Sequence, residues 1–270
     1  MKRRTLLGLL GIVVWGSLST ARAFEHGSAG PWEMVRNDAG IEVYRRTVAG
    51  SPLHEFQGTG VIEAPIPAVL AVLDDSEHRT EWMKEAVAQT MISRNGDREQ
   101  TFYSRTGAPW PVSDRDSVVR AITTVDIKAK MVRVEMNSTE HPSWPPQKGV
   151  VRMPHLCGHW FLWPSNGGKW TRVEYQVHAD PGGSLPSSII NMVSKKIPHS
   201  AISEMQKQVV RRKYPEFEAK VAQMPEYKLF LPSLPGMAGS TPSLSTTAAP
   251  PSVSTSPIPS GTPKASEGGK

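Results

Sequence analysis

LPSSIINMVSKKIPHSAISEMQKQV (residues 185–209) carries an apolar residue at every fourth position: Leu185, Ile189, Val193, Ile197, Ala201, Met205 and Val209. That spacing puts all seven on one stripe of a helix. It predicts a long C-terminal helix with one apolar face. Pro198 falls inside the pattern and lacks a backbone donor, so a kink is expected that frees the carbonyl of Ser194. Just upstream the period is two. Val173, Tyr175 and Val177 alternate with Arg172, Glu174, Gln176 and His178, which predicts a strand with its odd positions facing inward. Asp180-Pro181-Gly182-Gly183 separates the two periods.

Strand signals dominate the chain before that point. Ile41–Val48 and Leu53–Glu63 read as an opening pair. Ala64-Pro65-Ile66-Pro67 then breaks the pattern, and Ile66, Val69, Leu70 and Leu73 fall at helical spacing. Strands resume at Val87. Asn95-Gly96 predicts a hairpin between 87–94 and 98–105, residues 116–125 and 131–137 form another, and Asn166-Gly167-Gly168 turns the last. The fold class is therefore α+β: a long antiparallel sheet with one early helix and one long final helix. A curved sheet closed by a terminal helix can enclose a cavity, or the same apolar residues can form a fully packed core.

Composition bounds the function. One cysteine excludes an intramolecular disulfide, a Cys-based zinc finger and a multi-Cys iron–sulfur site. With 24 Pro and 22 Gly, a helical bundle throughout is excluded. The formal charge of +6 includes Lys2, Arg3, Arg4 and Arg22; without residues 1–23 it falls to +2, which gives no reason to expect a nucleic-acid partner. Residues 1–23 read as a signal peptide, with a basic start, an apolar stretch from Leu6 to Leu18 and an Ala21-Arg22-Ala23 cleavage site. A periplasmic destination is expected. The last 40 residues hold eight Pro, nine Ser, five Thr, five Gly and four Ala, so a disordered tail is expected over 227–270, leaving one domain at 24–226.

Three segments carry a resemblance. PWPVSDRD (109–116), HADPGGSLP (178–186) and Gly158-His159-Trp160 stand in the order and spacing of StAR-related lipid-transfer (START) domains, across about residues 32–213. The resemblance implies a helix-grip fold, with a curved antiparallel sheet around the C-terminal helix and an internal hydrophobic cavity. It implies one lipid or sterol-like ligand, gating by the C-terminal helix and neighbouring loops, and neither cofactor nor catalysis. A monomer that touches membranes transiently is expected. The alternative is a helix-grip enzyme, cyclase-like or hydrolase-like, acting on a hydrophobic small molecule.

Six residues are candidates for ligand contact. Arg115 shares its parity with Ser117, Val119 and Ala121, an inner face; it is either a polar anchor for a head group or the partner of Asp114, Asp116 or another acid. Ala121 lies where some sterol-type relatives place a second arginine, and Trp160 falls in the family's Gly-x-Trp. Tyr175 should point inward with its hydroxyl available, or be a plain core residue. Tyr103 lies on a strand without clean alternation. Met192 lies on or beside the helix stripe. His155, Cys157 and His159 alternate on one strand face, but their ends would be about 13 Å apart, so no metal site is expected.

Overall fold

The computed structural model describes residues 29–231. The N-terminal leader and nearly all of the C-terminal tail expected from the sequence lie outside them. The chain runs β1 (Glu33–Asp38), β2 (Ile41–Arg46), β3 (Glu55–Ile62), α1 (Ile66–Asp74), α2 (Arg79–Trp82), β4 (Ala86–Asn95), β5 (Glu99–Thr106) and β6 (Arg115–Asp126). It continues with β7 (Met131–Thr139), β8 (Val151–Arg152), β9 (His155–Ser165), β10 (Trp170–Asp180), α3 (Ser187–Ser194), α4 (Ile197–Arg211) and α5 (Pro215–Gln223), then a final 3₁₀ segment, Pro225–Phe230. The sheet order is β1-β2-β3-β10-β9-β7-β6-β5-β4, antiparallel throughout, with β8 added in parallel to β6. The result is the expected α+β helix-grip architecture.

α4 lies in the grip of the sheet. Ala201, Ile202, Met205 and Val209 are buried against Ile41, Phe56, Trp160, Val173 and Tyr175, with α1 completing the core. Two glycines in β3 set how closely the helix packs. A Cβ added at Gly58 would sit 2.7 Å from Cβ of Pro198, and one at Gly60 would sit 3.1 Å from Ile202. Glycine is thus the only residue at 58 that leaves the Pro198 contact undisturbed.

Two expectations are corrected. The single kinked helix is two helices. α3 ends at Ser194, Lys195 and Lys196 bridge the break, and Pro198 sits in the first turn of α4, where a missing N–H costs nothing. The domain also continues past residue 226: Tyr227 and Phe230 are buried in the main core.

Candidate ligand-binding site

Loop residues 75–78 and α2 carry a charge into the core. Arg79 is 5% exposed. Its Nη2 donates to the Leu73 carbonyl at 2.8 Å, its guanidinium lies 5.1 Å from the Trp82 ring, and its Nε has no hydrogen-bond partner. Among the described residues no carboxylate lies within ion-pair distance of it. Asp74 pairs with Arg94 at 2.9 Å, and Asp75 accepts from His78 and from the Tyr214 hydroxyl at 2.7 Å. Burial pulls the Arg79 pKa down to about 10, against the favourable charges of Tyr175, Asp75 and Asp74, so it stays a cation at neutral pH. An incompletely paired buried cation costs several kcal/mol. An anionic ligand group would relieve that cost.

The groups around this cation are aromatic and polar. Tyr175 stacks on Trp160 with ring centroids 4.4 Å apart. Burial pushes the Tyr175 phenol up to about 12, and the charge of Arg79 opposes that rise. Gln208 of α4 is fully buried, and neither of its amide atoms has a partner of good geometry. Burial alone would raise Asp75, but the hydroxyl of Tyr214 and the ring and backbone of His78 hold it below the usual carboxylate range.

A second feature opens at the other end of the grip. α3 covers a groove of about 630 Å³ lined by Arg45, His54, Phe56, Asn191, Met192 and Lys195, among others. Its volume falls in the usual range of ligand pockets. Phe56 belongs to the main core, so the groove leads from the surface to the inner face of the sheet. α3 buries no residue of its own. It is tied down through Asn191, which accepts from the His54 N–H at 2.9 Å and donates to the Pro52 carbonyl at 3.3 Å.

The six candidate residues do not form one site. Trp160 and Tyr175 meet on the inner face near Arg79. Ala121 is also inside, in a small cluster with Phe102 and Val119. Arg115 is buried but has neither acid as a hydrogen-bonded partner. Asp114 takes Arg105 and Asp116 takes Arg152, while Arg115 donates to the carbonyls of Ser113 (2.5 Å) and Pro181 (3.4 Å), tying the β5–β6 and β10–α3 loops together. Tyr103 is on the opposite face. It pairs across the sheet with Val118 while Phe102 pairs with Val119, and it stacks on Trp144 of the β7–β8 loop at 4.5 Å. Met192 is 59% exposed at the groove and not in the core. Sequence reasoning missed Arg79 and Gln208. Arg79 sits in His78-Arg79-Thr80-Glu81, a run whose polarity reads as solvated surface, and the one hint was the neighbouring Trp82. Among the described residues no three His, Cys, Asp or Glu side chains converge as a metal site. Burial pushes the Cys157 thiol up to about 11, which leaves it unreactive at neutral pH.

A curved antiparallel sheet gripping α4, with the Arg79 cation buried in the core, defines a helix-grip domain. The chain belongs to the START domain family, whose sequence pattern matches residues 26–213. It is 31% identical over 161 residues to an uncharacterised protein of Pseudomonas aeruginosa, covering 59% of this chain and 77% of that one. It is 30% identical over 171 residues to the phosphatidylcholine transfer protein of Bos taurus, covering 62% and 79%. A solved STAR-related lipid transfer protein fragment from Xanthomonas axonopodis superimposes with a TM-score of 0.61 at 34% identity, covering 67% of this chain and 99% of that structure.

Proposed function

We propose that this protein binds one phospholipid inside the helix grip and carries it between membrane surfaces, without a catalytic step or a cofactor. The observation that carries the reading is Arg79, a buried cation whose Nε is unpaired and whose surroundings are Trp82, Trp160 and Tyr175. A phosphate there would supply the missing acceptor, with the acyl chains along the apolar face of the sheet. Each methylene kept from water during transit is worth about 0.8 kcal/mol. The similarity to a phosphatidylcholine transfer protein supports this ligand class.

Gly58 packs against Pro198 and Trp160 stacks on Tyr175 across the interior, so in this reading loading requires a moving wall. In this reading α3 is that wall. It exposes Ile189, Met192 and Val193 next to Lys195 and Lys196, and Trp110, 92% exposed, stands on the β5–β6 loop at the same end of the sheet. Apolar side chains flanked by cations suit an anionic membrane surface. The proposal places the mature protein in the periplasm as a monomer, with residues 1–23 as the export signal.

The test is transfer of fluorescent phosphatidylcholine from donor to acceptor vesicles. Wild type is expected to accelerate it by at least tenfold, and Arg79→Met to abolish the acceleration. A wild-type protein that neither binds nor transfers phospholipid would overturn the reading.

A further inference from the structure

The segment after residue 213 lies beyond the stretch that matches the family and closes the end of the sheet opposite α3. α5 and the 3₁₀ segment cross that end as a strap. The strap starts where the Tyr214 hydroxyl donates to Asp75. Its middle is held by Lys220 on Asp97 at 2.5 Å and by Arg98 on Glu226. Its end passes the β9–β10 turn, where a Cβ on Gly168 (φ 82°) would sit 2.7 Å from the Phe230 carbonyl.

Beneath the strap is a cavity of about 240 Å³. Leu70, Leu73, Val134, Phe217, Val221 and Tyr227 give it apolar walls. The polar part of the lining is Asp74, Arg94, Asp97, Arg98 and Lys220, which carry charge, and Gln100 and Thr123, which do not. Gln100 is 8% exposed, and its carbonyl oxygen has no hydrogen-bond partner. A buried acceptor left unmade carries a desolvation cost that any donor in the cavity would remove. A water could serve it, but water is a poor occupant of the apolar remainder. The rim charges are already matched, Asp74 with Arg94, Asp97 with Lys220 and Arg98 with Glu226, so neither an anion nor a cation gains by entering. The space holds roughly eight water-sized groups.

We propose that this cavity under the strap is a second ligand pocket, for an uncharged alkyl chain of about eight carbons that ends in a hydroxyl donated to Gln100. The strap, which follows the matched residues 26–213, forms its lid. The inference does not depend on the phospholipid reading, because it uses neither Arg79 nor α3.

The full chain would be titrated by NMR with 1-octanol and with heptyl methyl ether, which has the same heavy atoms and no donor. The account expects both to shift the methyl signals of Leu70 and Val221, with 1-octanol binding on the order of tenfold more tightly. Gln100→Leu is expected to bring the two within about twofold, mainly by weakening the alcohol. Equal affinities in wild type, or no shifts at these methyls, would overturn the proposal. The wild-type ratio decides even if Gln100→Leu does not fold.

Discussion

α3 and α4 share one apolar stripe in the sequence and meet opposite fates. Along α4 the stripe positions Ala201, Met205 and Val209 are buried, and Ile202 beside them is fully so. Along α3, Ile189 and Val193 lie in solvent at 45% and 53% exposed. The difference is what lies beneath. Under α4, Gly58 and Gly60 let the helix backbone settle onto the sheet. Under α3 lies the groove at the ends of β2 and β3, and Asn191 makes the hydrogen bonds that tie the helix over it. Periodicity identifies the face of a helix but not its partner. Here α4 is packed into the grip and α3 lies over the groove, which is the division that the proposed loading through α3 would use.

That contrast can be broken or sharpened by substitution. The largest effect is expected in the grip: Ile202→Ala should cost about 2–5 kcal/mol in urea unfolding. A value near that of a surface site would remove α4 from the core of the account. Next comes the tie. Asn191→Ala should leave global stability within about 1 kcal/mol, yet speed hydrogen exchange of the α3 amides several-fold, because two hydrogen bonds hold the cover down. Unchanged exchange would mean that α3 is fixed by other contacts.

A subtler effect is expected with pH. The Tyr175 phenol is raised from 10 to about 12, chiefly by burial. A raised phenol favours the neutral form in the folded state, so its contribution is intact below pH 10 and lost as pH rises toward 12. Stability should therefore decline across that window, and less so in Tyr175→Phe. Identical slopes would place the Tyr175 hydroxyl in contact with water. The smallest effect belongs to the cover: Val193→Ala should change stability by no more than about 0.5 kcal/mol while slowing transfer from anionic vesicles. A large loss of stability would show the α3 stripe to be packed.

Much of the fold was legible because its signals are local. The β9–β10 hairpin was marked by Asn166-Gly167-Gly168, and the inward set Val173, Tyr175 and Val177 by strict alternation. β1 escaped notice because Glu33–Asp38 has no alternation; its strand is made by pairing with β2 through a turn in which Ala39 and Gly40 both take positive φ (52° and 74°). The end of the domain was misplaced because Tyr227 and Phe230 are buried aromatics in a short stretch between Pro225 and Pro232 that has neither helical nor strand periodicity. The site was less legible than the fold. Trp160 and Tyr175 sit on a regular strand whose pattern sets their direction. Arg79 sits on one turn of helix after a loop, where burial is decided by α1, whose Leu73 carbonyl it meets, and by α4. Tyr103 shows the converse: its strand carries register shifts against β4, and the face it takes is set by pairing with β6.

The central claim is that the buried Arg79 cation anchors a phospholipid inside the grip. Native mass spectrometry of the full chain after exposure to phosphatidylcholine vesicles tests it directly, with Arg79→Met run in parallel. The account predicts a one-to-one lipid adduct on wild type and none on the variant. It also predicts that the unliganded variant is at least as stable as wild type, since it no longer buries an incompletely paired charge. Equal adducts on both proteins, or none on wild type, would contradict it.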